Sequence, residues 1–206
     1  MLKFFYSKGS SALAAHILLE EVGASYEAIE VSIPNGKHLT PEFLQLNPKG
    51  RIPVLATLEF TITENPAILE YIAATHQQGA TLPKGHIRQA QARSLAAYLC
   101  ATAHVAFAHK QRGPRWADQE ASLKDMLTKV ASNLHDCASF LEQGLNSRPW
   151  ALGQTYSFCD PYLFLMDRWM SAADLSIKAF PKLSAHHEAM LSRPATQKVM
   201  DLHGLL

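Results

Sequence analysis

Two β-compatible runs, Val54–Ala56 and Phe60–Ile62, lie so close together that only a hairpin can pair them. The linker between them holds no Asn-Gly or Asp-Gly, so the strands mark this hairpin more strongly than its turn does. Glu64-Asn65-Pro66 follows and reads as a helix start, with Asn65 as N-cap and Pro66 pre-set for the first turn. Ala67, Ile68, Tyr71 and Ile72 continue with helical spacing. Ile52-Pro53 opens the first strand, where a proline occupies a sheet edge or forms a cis turn. Glu64-Asn65 sets a carboxylate and an amide beside the exposed N–H groups of a helix start. Such a place suits a ligand with carboxylate and ammonium on one carbon, an amino-acid head; it is equally the composition of an ordinary helix cap.

The preceding chain fits a sheet around this hairpin. Leu2–Tyr6 reads as a strand, Ser7–Ser11 as a polar turn, Ala12–Val22 as a helix ended by Gly23, and Tyr26–Val31 as a second strand. Leu13 and Ile17 against Glu20 and Glu21 give that helix one apolar and one charged side. A strand–helix–strand unit implies a parallel pair with right-handed crossover. Thr40-Pro41-Glu42 caps a short helix that Asn47-Pro48 stops. The order βαβ–α–ββα is the thioredoxin-like α/β arrangement, a mixed four-stranded sheet with helices on both faces.

Beyond the polar tract His76–Lys84 the period changes. His86–Arg112 is helical with an alanine-rich middle, and Gly113-Pro114 breaks it. Leu123, Met126/Leu127, Val130, Leu134, Cys137 and Leu141 step by three and four up to Gly144, as one buried stripe does. Ser157-x-x-Asp160 is a capping box before the apolar run Tyr162–Met170, with Pro161 a small local conflict. Phe180–Leu191 and Ala195–Leu202 read as two further helices. We expect a thioredoxin-like domain over 1–77, a linker over 78–85 and an all-α helical bundle over 86–206.

Composition narrows the partners. A formal net charge of +1 over 206 residues gives no reason to expect nucleic acid or an anionic membrane. No apolar run reaches the roughly 18–20 residues of a membrane span, and no signal peptide is recognisable, so a soluble cytoplasmic protein is expected. Cys100, Cys137 and Cys159 are an odd number on helical patterns, which suggests buried free thiols. The ten histidines show no metal-ligand spacing, and no metal is expected.

NPKGRIPVL followed by TENPAILEYIA resembles the thioredoxin-like half of the glutathione transferases. The likeness extends through Trp150–Gly153, Ser157-x-x-Asp160 and Arg193-Pro194-Ala195 to nearly the whole chain. It implies that Ile52 and Pro53 hold the cysteinyl part of glutathione, that Glu64 and Asn65 hold its γ-glutamyl group, and that Lys37 or Arg51 takes the glycine carboxylate. It also implies a homodimer and, between the domains, a small apolar electrophile as second substrate. GSSALAAHI is similar to the bacterial β class, with Ser11 at the position of the class cysteine and Ser10 just before it. A serine cannot form a mixed disulfide, but its hydroxyl can stabilise a bound thiolate. Tyr6 is a second candidate donor, and His104 matches a histidine that faces the active site in that class. The activity implied is glutathione conjugation. A glutathione-dependent isomerase or peroxidase and a non-enzymatic glutathione-binding module are the alternatives.

Overall fold

The computed structural model of the chain describes residues 1–77, 80–145 and 149–206. The expected linker includes Gln78 and Gly79, which lie outside the described residues. The first half runs β1 (Leu2–Tyr6), α1 (Ala12–Glu21), β2 (Tyr26–Glu30), α2 (Pro41–Leu46), β3 (Val54–Ala56), β4 (Thr61–Thr63) and α3 (Asn65–Thr75). The sheet order is β2-β1-β3-β4. β1 and β2 are parallel with Leu2 opposite Tyr26, and β3 runs antiparallel to both β1 and β4. The pleat sends alternate β1 side chains to opposite layers. Phe4 meets His16 of α1 with ring centres 5.2 Å apart, while Phe5 meets Phe43 of α2 at 6.2 Å. This is the thioredoxin-like mixed sheet, and among the described residues the elements that follow it are helices.

The hairpin manages without a glycine turn because Thr57 supplies the missing partners. Its N–H donates to the Phe60 carbonyl at 2.9 Å, and its hydroxyl accepts from the N–H groups of Glu59 and Phe60. The second strand begins one residue later than the sequence suggested, at Thr61.

Helix α1 departs from its expected two-sided character. Every residue from Ala12 to Leu19 is buried, because the helix is enclosed by β1, α3 and two helices of the second half, α7 (Asp160–Ala172) and α9 (Pro194–Leu202). Glu20 and Glu21 lie at its far end and pair with Lys198 (2.7 Å) and Arg193 of α9 and its approach. A short, nearly charge-free helix of Ala, Leu and Ile suits such a position: it brings no polar group inward except His16.

The second half comprises α4 (His86–Tyr98), a π-helical turn over Leu99–Ala103, α5 (His104–Arg112), α6 (Glu120–Gly144), α7 (Asp160–Ala172), α8 (Pro181–Leu191) and α9 (Pro194–Leu202). In α6 the apolar stripe is fully buried only from Val130 onward; Leu123 and Met126 are half-buried and Leu127 is half exposed. At the start of α7, Asp160 accepts from the Ser157 N–H (2.7 Å) and hydroxyl (2.9 Å), which forms the carboxylate half of the expected capping box, while the Asp160 N–H donates to the Ser157 carbonyl (3.1 Å) instead of its hydroxyl. The other carboxylate oxygen accepts from the Ala151 N–H (2.7 Å) and faces His186 Nε2 at 3.1 Å. Pro161 sits within the first helical turn, where no intrahelical N–H is needed, so it causes no conflict. Asp167 lies 3.5 Å from His186 Nδ1. Burial pulls the His186 pKa down, but the two carboxylates outweigh it and raise it to about 9, so this buried imidazole is charged at neutrality.

A second histidine cluster ties the halves together. The Gly9 N–H donates to His203 Nδ1 at 3.2 Å, which leaves the His203 proton on Nε2 to be donated to His16 Nδ1 at 3.0 Å. Burial lowers both, to about 3 for His203 and about 4 for His16, and both rings are neutral.

Candidate active site

The Ser10–Ser11 turn, the Arg51–Pro53 segment and the Glu64–Asn65 step meet at one end of the sheet, facing α5 across a cleft. Three buried or half-buried bonds fix this side. Asn65 Nδ2 donates to the Ser11 carbonyl at 2.8 Å, the Ser11 hydroxyl donates to the Ile52 carbonyl at 3.2 Å, and Asn47 Nδ2 donates to the Arg51 carbonyl at 2.7 Å. The Ile52–Pro53 peptide is cis, one of the two forms open to it from the sequence.

The sequence expectation for the α3 start needs correcting. Asn65 is the first helical residue rather than the cap, and Glu64 holds the cap position with φ 73°, ψ 125°. That conformation is unfavourable for any residue with a Cβ and costs about 1–3 kcal/mol. Asn65 turns inward to Ser11 and leaves the α3 N-terminus open to the cleft. The Glu64 carboxylate pairs with Lys49, whose ammonium also donates to Thr63 Oγ1 at 2.7 Å. Sequence reasoning passed over Lys49. Its place beside Gly50, which adopts φ 57° in the loop before Arg51, is the only local signal for it.

Each serine hydroxyl has its one proton engaged. Ser10 Oγ donates to the Ser7 carbonyl at 2.7 Å and accepts from the Ala12 N–H at 3.2 Å, so it is Ser10 whose side chain caps α1. Ser11 Oγ makes the longer bond to Ile52, and among the described residues its own N–H has no partner. That N–H points from the start of α1, where the helix contributes partial positive charge.

Tyr6 and Lys37 do not join this group. Tyr6 faces away from the cleft, its ring centre 4.9 Å from His16 and 5.0 Å from His203, because the β1 pleat directs it to α1 and α9. Burial, and then Glu30, raise its pKa, which weakens it further as a proton donor to sulfur. Lys37 lines a separate groove with Phe43 and Glu42; its neighbour His38 reaches the cleft instead.

The opposite wall is a single helical face. Cys100, His104, Ala108 and Arg112 follow one another every four residues, with Arg115 and Trp116 beyond the Gly113-Pro114 break. Cys100 is half-buried and free, not fully buried as expected. His104 packs edge-on against Trp169 at 4.7 Å. Burial lowers its pKa to about 4, helped by Arg112, Arg115 and Arg51 and opposed by Glu64, so it is neutral. This wall, across which an apolar electrophile was expected, carries two guanidinium groups, Arg112 and Arg115. Tyr162 of α7 closes the floor, fully buried, with no hydrogen-bond partner for its hydroxyl among the described residues.

Such a cleft, with a helix N-terminus aimed into it from a thioredoxin-like sheet, defines a class that comparison identifies. Residues 2–74 match the family model "Glutathione S-transferase, N-terminal domain". A Sulfitobacter glutathione transferase homologue, whose structure contains bound glutathione, is 35% identical, with a TM-score of 0.94 over 100% of this chain and 99% of that one. A bacterial β-class glutathione S-transferase from Sphingomonas chungbukensis is 29% identical, with a TM-score of 0.85 over 99% and 100%. Glutathione S-transferase GstA of Escherichia coli O157:H7 is 26% identical over 99% of this chain and 100% of its own length. The chain belongs to the glutathione S-transferase family.

Proposed function

We propose that this protein is a glutathione S-transferase that joins the thiolate of glutathione to a small electrophile bound between its two halves. The observation that carries the reading is the cross-bonded platform of Ser11, Ile52–Pro53 and Glu64–Asn65, which opens the N-termini of α1 and α3 into one cleft. A tripeptide with a carboxylate at each end and a thiol between them matches two open helix starts better than an apolar ligand would.

In this reading the α3 N-terminus takes the γ-glutamyl carboxylate, and Glu64 takes the neighbouring ammonium. Lys49 now stands where that ammonium would bind. Both partners are largely exposed, so their separation costs at most about 1 kcal/mol. Arg51, which lines the cleft, takes the glycine carboxylate. The Ile52–Pro53 backbone carries the cysteinyl unit and presents its sulfur to Ser11, where the N–H, and the hydroxyl once it leaves the Ile52 carbonyl, stabilise the thiolate. Neutral His104 offers an N–H from the other wall. Glutathione enters as co-substrate, and the chemistry rests on thiolate stabilisation and proximity. Among the described residues no group of His, Cys, Asp and Glu is arranged to hold a metal ion, and no helix is long and apolar enough to cross a membrane. A cytoplasmic homodimer with a detoxifying role, organised over 1–77, 78–85 and 86–206, completes the proposal; two-fold assemblies are the commonest oligomers.

The test is calorimetric titration with glutathione, followed by an assay of its conjugation to 1-chloro-2,4-dinitrobenzene. Binding together with chloride release supports the reading. Binding without turnover of this or any other electrophile would leave a glutathione-binding module, and absence of binding would overturn the proposal.

A further inference from the structure

The cleft holds three guanidinium groups and one carboxylate, and that carboxylate is already paired. Arg51, Arg112 and Arg115 all line it, whereas Glu64 is bound to Lys49. The arginines with acidic partners among the described residues are Arg93 and Arg193, both elsewhere; the three in the cleft have none. Arg112 is half-buried and sits close enough to the other two to feel them: burial lowers its pKa, and Arg115 and Arg51 lower it further. Like charges gathered without a counter-ion at the mouth of a concave site oppose folding, and they are relieved when an anion arrives.

Glutathione accounts for part of this charge. Its anchors come from the sheet side, where Arg51 adjoins Ile52-Pro53. Arg112 and Arg115 come from the far wall, at the end of α5 and in the turn after it, with Trp116 beside them. That wall faces the place where the second substrate must approach the sulfur.

We propose that the second substrate is an electrophile carrying a carboxylate, which Arg112 and Arg115 hold while its flat ring or conjugated system lies against Trp116. The inference rests on the transferase reading and narrows its acceptor from small electrophiles in general to anionic ones. A planar guanidinium pairs with a carboxylate through two parallel N–H···O bonds, so it fixes direction as well as affinity. With its carboxylate held at the far wall, the acceptor's reactive carbon is turned towards the α1 N-terminus. For a chloroarene the glutathione sulfur forms the new C–S bond, the C–Cl bond breaks, and chloride leaves with the bonding pair. The thiol proton has already passed to solvent, so the exchange balances without an oxidant or reductant.

A matched pair of acceptors tests this: 4-chloro-3,5-dinitrobenzoate and its methyl ester, which differ by one charge. We expect kcat/KM to favour the acid by about tenfold or more, as a charge-assisted contact should provide. In the double variant Arg112→Met, Arg115→Met the acid-to-ester ratio should collapse towards one while calorimetric affinity for glutathione is retained. Equal use of acid and ester by the parent, or a preference that survives the double substitution, overturns the proposal. So does a loss of glutathione affinity in the variant, which would assign the arginines to the tripeptide. Should neither acceptor be conjugated, the transferase reading is judged separately, by turnover of 1-chloro-2,4-dinitrobenzene. The anion site is then decided by titrating both compounds into protein filled with S-methylglutathione: stronger acid binding that the double variant abolishes supports it, and equal binding removes it.

Discussion

The two walls of the cleft are built in different ways. The sheet-side wall is a set of backbone segments bonded to one another: Asn65 to Ser11, Ser11 to Ile52, Asn47 to Arg51. The helix-side wall is a row of side chains along one face, from Cys100 to Arg112, and among the described residues the His104, Arg112 and Arg115 side chains make no hydrogen bond to one another. A cross-bonded wall holds one shape, which suits a co-substrate that never changes. A wall of separate side chains can be altered one position at a time without breaking a hydrogen bond of its neighbours, which suits an acceptor that differs from one enzyme to the next. Rigidity and variability are thus divided between the two halves of the chain.

The largest effect expected from testing this contrast lies at Ser11. Ser11→Ala removes the hydroxyl proposed as a donor to the sulfur, and turnover should fall by about 10²–10³ while the thiol pKa of bound glutathione rises. Thiolate absorbance against pH is the readout. If the variant titrates like the parent, the hydroxyl stays on Ile52 and the N–H of residue 11, which alanine keeps, does the work. Next in size is stability. Asn65→Ala strands the Ser11 carbonyl in a buried place and should cost about 1–3 kcal/mol. Arg115→Ala on the other wall should stay within about 0.5 kcal/mol. Denaturant midpoints compare the two directly, and equal losses would erase the distinction between the walls.

A smaller effect separates binding from folding at one residue. Glu64→Ala should weaken glutathione by about tenfold, because the charge-assisted bond proposed to the ammonium is lost. Glu64→Gly should weaken it similarly yet stabilise the free protein by about 1 kcal/mol, since glycine tolerates φ 73°. A destabilised glycine variant would mean that the Lys49 pair outweighs the backbone conformation. The smallest effect concerns His104, whose pKa is lowered to about 4. A histidine with a depressed folded-state value supports the fold fully above its unfolded value near 6.5, and that support is lost as pH falls through about 4. Arg112→Met takes away one of the positive neighbours, so the His104 midpoint followed by NMR should move up towards 6.5. An unmoved midpoint would mean that burial alone sets it.

The sheet-side wall was the more legible in the sequence, for the same physical reason that it is rigid. Turns, caps and the residue before a proline are local decisions, so Ile52-Pro53 and Glu64-Asn65 announce themselves over a few residues. Even there, neighbours exchanged roles. Glu64 took the cap that Asn65 was expected to hold, because the Asn65 amide found a stronger use on the Ser11 carbonyl some fifty positions away. Tyr6 and Lys37 were candidates through the family resemblance, as a hydroxyl after the first strand and a cation for a carboxylate; the pleat of β1 turns the first aside, and the second lines another groove. The helix-side wall gave less warning. Which face of His86–Arg112 looks across the cleft depends on packing with α6 and α7, and the π turn at Leu99–Ala103 shifts the phase just where the wall begins. Arg112 and Arg115 consequently looked like ordinary surface cations at a helix end.

The bond from the Gly9 N–H to His203 bears on how the protein is made as well as how it works. Ribosomes release a chain from its amino end, so the loop with Ser10 and Ser11 leaves first and must wait for nearly two hundred further residues before its brace exists. Until then α1 also lacks α7 and α9, two of the elements that cover it. The early sheet can form on the ribosome, but an apolar helix remains uncovered beside it, and that interval is when a nascent chain most needs a chaperone.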